Sequence, residues 1–152
     1  MSEVAPVRWS HVGLNCRDIA ATEEFYRRRF GFRRARVIET GDGRVIFLRA
    51  GDVYLELFEA PGVAAHDAVA DGPGQPGLIR HLAFQVTDLD GWLAGAGDQL
   101  VITLGPLRFD EVIPGWRTVW VRDPDGVIVE VSQGYTDQDP ASLAGASESP
   151  AP

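Results

Sequence analysis

Ser10-His11-Val12-Gly13-Leu14-Asn15-Cys16-Arg17-Asp18-Ile19 returns 70 residues later as Arg80-His81-Leu82-Ala83-Phe84-Gln85-Val86-Thr87-Asp88-Leu89. Histidine falls on histidine and aspartate on aspartate, with apolar residues matched between them. A second pair of stretches aligns in the same way. Phe47-Leu48-Arg49-Ala50-Gly51-Asp52-Val53-Tyr54-Leu55-Glu56-Leu57 lies over Trp120-Val121-Arg122-Asp123-Pro124-Asp125-Gly126-Val127-Ile128-Val129-Glu130-Val131, with one extra residue in the later turn. Each half therefore opens on a histidine and ends on a glutamate, 45 residues apart in the first and 49 in the second. Self-similarity of this kind means one supersecondary unit built twice.

Periodicity gives the unit its elements. Trp9 to Cys16 alternates as a strand. Asp18 is an N-cap, and Ile19 to Phe30 places Ile19, Thr22, Phe25, Tyr26 and Phe30 on one helical stripe. Gly31 ends the helix. Phe32 to Glu39 and Arg44 to Ala50 flank the hairpin turn Gly41-Asp42-Gly43, and Val53 to Glu59 is a fourth strand. The second half predicts a strand Leu78 to Val86, a helix Leu89 to Gln99, and strands near Val101 to Leu104, Trp116 to Arg122 and Val127 to Ser132. Asp123-Pro124-Asp125-Gly126 reads as a turn. The fold class is α+β: two βαβββ modules in tandem forming a cup-shaped, partly open β-sheet. One domain is expected over residues 1–133, with modules at 7–60 and 78–133 and a Gly/Pro/Ala-rich linker at 61–77. Residues 134–152 have no apolar pattern and read as a disordered tail.

Composition sets outer limits. The 152 residues are 45% hydrophobic and 24% charged, an ordinary globular balance. No apolar run approaches the ~20 residues of a membrane span, and no signal peptide is evident. One cysteine excludes an intrachain disulfide and a Cys-rich zinc site, and a cytoplasmic location is the expectation. A net charge of −8 argues against nucleic acid or an anionic membrane as partner. All fourteen basic residues are arginine, which excludes a Schiff-base lysine.

Side chains alternate across a strand. Trp9, His11, Gly13 and Asn15 share one face; Val12, Leu14 and Cys16 share the other. Ile79, His81, Ala83 and Gln85 form the corresponding face of the second half. Tyr54, Glu56 and Phe58 share a face, as do Ile128, Glu130 and Ser132, while Val53-Leu55-Leu57 and Val127-Val129-Val131 are uniformly aliphatic. Each half thus has a dry face for its helix and an open face bearing His and Glu. Two such faces brought together would collect two imidazoles and two carboxylates. Enclosed carboxylates repel each other and are costly to desolvate, and a divalent cation removes both problems. The donor set suits Zn, Ni, Co, Fe or Mn. The competing reading is a hydrogen-bonded structural histidine and a solvated glutamate in each half. Of only three histidines, two occupy equivalent repeat positions, which favours the metal. His66 has no repeat partner and reads as a surface linker residue. Cys16 reads as core.

These residues resemble the vicinal oxygen chelate superfamily, which includes glyoxalase I, methylmalonyl-CoA epimerase, extradiol dioxygenases and antibiotic-resistance proteins. The matching features are His11-Val12-Gly13-Leu14 with Asp18, Phe25-Tyr26 and Gly31-Phe32. They continue through Leu55-Glu56-Leu57-Phe58-Glu59, Arg80-His81-Leu82-Ala83-Phe84 and Asp123-Pro124-Asp125-Gly126 leading to Glu130. Coverage runs from about Val7 to Gln133.

The resemblance implies a glyoxalase-like fold and one divalent metal held by His11, Glu56, His81 and Glu130. It implies a small-molecule substrate whose adjacent oxygens chelate the metal, with an enediolate or enolate stabilised there. Glu130 matches the ligand that doubles as base in glyoxalases and epimerases, and Glu39 resembles the additional acid of epimerases. Asn15, Gln85, Arg122 and Trp120 are candidate substrate contacts. The implied activity is that of a glyoxalase- or epimerase-type lyase or isomerase, and a homodimer is expected. An iron-dependent extradiol-type dioxygenase and a fosfomycin-type thiol transferase each use three ligands, and a ligand-sequestering resistance protein generally lacks them. The four intact ligands here weigh against all three.

Overall fold

The computed structural model describes residues 6–65 and 72–145; His66 lies outside them. The first module runs β1 (His11–Cys16), α1 (Ile19–Phe30), β2 (Arg33–Thr40), β3 (Gly43–Ala50) and β4 (Val53–Glu59). The second runs β5 (Leu82–Gln85), α2 (Leu89–Ala96), β6 (Val101–Arg108), β7 (Arg117–Arg122) and β8 (Ile128–Gln133), and a short α3 (Pro140–Gly145) follows. Each module forms one four-stranded sheet, ordered β1-β4-β3-β2 and β5-β8-β7-β6. The first strand of each pairs in parallel with the last, and the remaining pairs are antiparallel. The tandem βαβββ architecture read from the repeat is therefore present, as two sheets that do not close. No helix among the described residues is long and apolar enough to cross a membrane.

Local chemistry explains the boundaries of α1. The Asp18 carboxylate accepts from the backbone N–H of Ala20 and Ala21 at 3.0 and 3.1 Å, satisfying two donors that the first turn cannot. Gly31 stops the helix in the left-handed region at φ 69°, a conformation glycine adopts without a Cβ penalty. Helix α2 is shorter than its periodicity predicts, ending at Ala96 with Gly97 as its C-cap. Strand β6 is longer. Its pairing with β7 continues past Gly105-Pro106, beyond two register shifts. A Cβ on Gly105 would meet Leu107 N and Thr118 O at 3.0 Å, so the sheet needs glycine there. Of the stretch 134–152, residues 134–145 are described, and they include α3. Asp139 caps α3 through Ala141 N at 2.8 Å, and Tyr135 packs edge-on against Trp116.

One core joins the modules. Ile46, Leu48, Leu55 and Leu57 from the first sheet, Val119, Val121, Val129 and Val131 from the second, and Ile19, Phe25, Tyr26 and Leu89 from the helices belong to a single buried cluster. The aliphatic faces of both sheets thus serve the same core, and the faces carrying His and Glu lie outside it. Aromatic stacking strengthens the junction, with Phe30 against Phe84 at 4.5 Å and against Trp92 at 5.4 Å.

The Asp123-Pro124-Asp125-Gly126 turn is the polar fastener of this junction. The Asp123 carboxylate accepts from Asp125 N, Val127 N and the Tyr26 hydroxyl, all at 2.9 Å. Asp125 accepts from Arg17 N, Arg17 Nε and the Thr22 hydroxyl. Burial outweighs the three donors and pushes the Asp123 carboxyl up to about 6.

Candidate metal centre

Strand register creates each half of the candidate site. Gly13 stands opposite Glu56 on the parallel pair β1–β4, so His11, two residues earlier, shares the Glu56 face. Its Nε2 lies 3.0 Å from Glu56 Oε2, with the Phe47 ring edge-on to the imidazole at 5.7 Å. In the second module Ala83 stands opposite Glu130 on β5–β8, and His81 Nε2 lies 3.2 Å from Glu130 Oε2. The repeat seen in the sequence is therefore a repeat in space: two histidine–glutamate pairs with one geometry. The second is more enclosed, with side-chain exposures of 24% and 15% against 37% and 18% in the first.

In both pairs the remote ring nitrogen is held. Ser10 Oγ stands 2.8 Å from His11 Nδ1, and the Pro73 carbonyl stands 2.9 Å from His81 Nδ1. A carbonyl only accepts, so His81 Nδ1 carries the proton there. Nε2 then faces a carboxylate, a second acceptor. Either the ring carries both protons, or the Nε2 lone pair and the carboxylate are offered to a cation. A ligating histidine whose other nitrogen is anchored on oxygen is the arrangement a metal requires. The donor chemistry of each half fits a divalent transition metal.

The two halves do not meet within the chain. Among the described residues no three metal-ligating side chains gather around one point. The physical reason is the shared core, which takes both aliphatic faces and leaves the two open faces outside it. His11 with Glu56 and His81 with Glu130 are thus brought together as pairs, and the four are not brought together as a set.

The other candidates fall unevenly. Trp120 stands opposite Glu130 and its indole Nε1 donates to Glu130 Oε2 at 3.1 Å. Asn15 is exposed on the His11 face, opposite Phe58. Gln85 is exposed on the His81 side of β5 and lines a groove with Phe30, Phe84 and Trp92. Arg122 instead lines a cleft beside α1 with Glu24, Phe25 and Arg28. Glu39 stands apart from the pairs. It sits on the outermost strand β2 opposite Arg44, in register with the Ile46–Leu48 side of β3. Glu56 lies on the other side of that sheet, opposite Phe47, so Glu39 cannot reach the pair. Sequence reading missed the Pro73 carbonyl altogether, because a backbone acceptor from the linker leaves no side-chain signal.

Comparison with known proteins identifies the family and the fold. Residues 8–131 match the model of the Glyoxalase/Bleomycin resistance protein/Dioxygenase superfamily. No curated protein matches the chain. Among solved structures, the glyoxalase family protein from Enterococcus faecalis is 26% identical with a TM-score of 0.65, covering 83% of this chain and 97% of that one. A glyoxalase/dioxygenase from Nostoc punctiforme is 25% identical with a TM-score of 0.66, covering 90% and 99%. A mutant of the fosfomycin resistance protein FosX from Listeria monocytogenes, complexed with Mn(II) and 1S,2S-dihydroxypropylphosphonic acid, shares the fold at 16% identity and a TM-score of 0.65, covering 86% and 93%. The family match spans both modules and both histidine–glutamate pairs, and the chain belongs to the Glyoxalase/Bleomycin resistance protein/Dioxygenase superfamily.

Proposed function

We propose that the protein is a metal-dependent enzyme of the glyoxalase or epimerase type, abstracting a proton next to a carbonyl of a small molecule. We infer that its metal centre is completed by a second copy of the chain. The observation that carries this reading is the matched pair of half-sites, each offering one imidazole nitrogen and one carboxylate. Neither half alone supplies the four ligands that the set implies. His11 and Glu56 of one protomer, with His81 and Glu130 of the partner subunit, would hold one Zn, Ni, Co, Fe or Mn ion.

The edges of the sheets support the pairing. β1 and β5 carry the histidine faces and are both edge strands, so each leaves one row of backbone donors and acceptors unpaired. Leu78 and Ile79, just ahead of β5, are 102% and 66% exposed. Setting β1 of one copy beside β5 of the other satisfies both edges, covers these side chains and, by two-fold symmetry, makes two equivalent sites.

When bound, the metal supplies Lewis-acid polarisation of substrate oxygens. Glu130 serves as the base. Its Oε2 is fixed by the Trp120 indole N–H and faces His81. Its Oε1 has no hydrogen-bond partner among the described residues and is the oxygen that takes the proton. A carboxylate is a weak base toward carbon, so the substrate must be acidified and held within hydrogen-bond reach of Oε1. Replacing Glu130→Gln keeps an oxygen donor and removes the base. Turnover should fall ~100-fold or more while metal binding survives in part. Incorporation of solvent deuterium at the substrate's α-carbon is the direct signature. Uptake of dioxygen without exchange at carbon would place the enzyme in the dioxygenase branch.

A further inference from the structure

A cleft of about 600 Å3 lies next to the His11–Glu56 pair, lined by Arg8, Trp9, Ser10, Arg49, Asp52 and Tyr54. Register shows where it sits. Arg49 stands opposite Tyr54 across β3–β4, and Phe47 stands opposite Glu56 two residues along the same face. Two residues of strand cover about 6.6 Å, so the cleft begins one small-molecule length from the Glu56 carboxylate. Ser10 lines the cleft, and its Oγ contacts His11 Nδ1 at 2.8 Å, so one residue adjoins both sites.

The lining combines positive charge with aromatic faces. Arg8 forms no ion pair among the described residues. Arg49 is pre-positioned: its Nε donates to the Gly51 carbonyl at 2.7 Å, and its guanidinium lies over the Tyr54 ring at 5.4 Å. The one acid present, Asp52, approaches Arg49 no closer than 3.7 Å, with a fully exposed side chain. Trp9 is 72% exposed and leaves its indole face uncovered. Two guanidiniums against one weakly engaged carboxylate leave a net positive recess on a chain of net charge −8. Guanidinium forks match a carboxylate, and the indole and phenol rings match a flat apolar body.

We propose that this cleft binds the carboxylate end of a small, flat organic acid, with Arg8 and Arg49 reading the charge and Trp9 and Tyr54 flanking the body. In taking that acid as the substrate, the proposal rests on the metal-centre reading above. Such a molecule reaches from Arg49 to the neighbourhood of Glu56, so the substrate class is an organic acid whose reacting carbonyl lies a few bonds from an anionic group.

The test uses chelator-treated full-length protein, so binding is read without metal and without turnover. Benzoate is titrated by calorimetry, with the quenching of tryptophan fluorescence that is lost in Trp9→Phe as a second readout. The expected dissociation constant is about 1 mM. Arg8→Met and Arg49→Met should each weaken binding about tenfold, the size of one charge-assisted contact. Asp52→Asn should tighten it, and neutral benzamide should not compete. Arg8 lies outside every strand, so its variant reports on binding even if the Arg49 variant misfolds. No saturation by about 20 mM, equal binding of benzamide, or an unchanged Arg8→Met variant would overturn the proposal. Failure of metal to bind, with benzoate binding intact, would instead count against the metal centre alone.

Discussion

Trp120 and Glu130 face each other across β7 and β8, and the indole Nε1 donates to Glu130 Oε2 at 3.1 Å. That same oxygen stands 3.2 Å from His81 Nε2. Trp120 is 7% exposed, so its ring is locked by packing and the carboxylate inherits its orientation. Trp120→Phe keeps most of the packing and removes the donor. Metal affinity should fall by about 10–100-fold, as is usual when a ligand loses its orienting partner. Titrating zinc against a chromophoric chelator measures this. A change within twofold would mean that the indole does not set the carboxylate.

The fastener between the modules should make stability pH-dependent. The Asp123 carboxyl is raised from 3.8 to about 6, chiefly by burial. The folded state therefore binds its proton more tightly than the unfolded chain does. The contribution is fully present below pH 3.8 and is lost as pH rises through 6. At 1.36 kcal/mol for each pH unit of difference, the loss is about 3 kcal/mol. Denaturant melts of the parent and Asp123→Asn, compared between pH 4 and pH 7, isolate this slope. The parent should lose stability relative to the variant as pH rises. Parallel profiles would assign the pH dependence to other groups.

Cys16 should be chemically silent in the folded protein. It is fully buried, and burial first, with the nearby Asp125 and Asp123 carboxylates adding to it, pushes its thiol up to about 12. Only the thiolate reacts with an alkylating reagent. Iodoacetamide at pH 8 should modify the chain only under denaturing conditions. Rapid native labelling would show that the α1 side of the core opens readily.

The legible parts of this protein are those decided within a few residues. Helix α1 matches its reading end to end because Asp18 and Gly31 fix both termini locally. β4 matches because turns bracket it. The histidine–glutamate pairs were legible because strand alternation assigns each to a face. The errors occur where distant partners decide. Leu78 to Arg80 reads as strand, yet sheet pairing begins only at Leu82, and Gln75 N is hydrogen-bonded to the Arg80 carbonyl instead. β6 runs past Gly105-Pro106 because β7 supplies the pairing. Glu39 enters only through its resemblance to the additional acid of epimerases, and register against Arg44 puts it on the side of the sheet away from Glu56. The largest unread feature is the choice of partner for each aliphatic face. Nothing local in Leu55, Leu57, Val129 and Val131 states that they share one core, and that choice separates the two half-sites.

The claim that one metal centre spans two copies is tested most directly by mixing two broken chains. One carries His11→Ala and Glu56→Ala; the other carries His81→Ala and Glu130→Ala. Neither variant alone has an intact site in any dimer of itself. A mixed dimer pairs the intact first module of one chain with the intact second module of the other and regains one of its two sites. After unfolding and refolding together in equal amounts, half the dimers are mixed, and metal bound per chain should recover to about one quarter of the parental level. If each variant binds no metal and the mixture also binds none, the two half-sites do not complete each other across a dimer, and the account is contradicted.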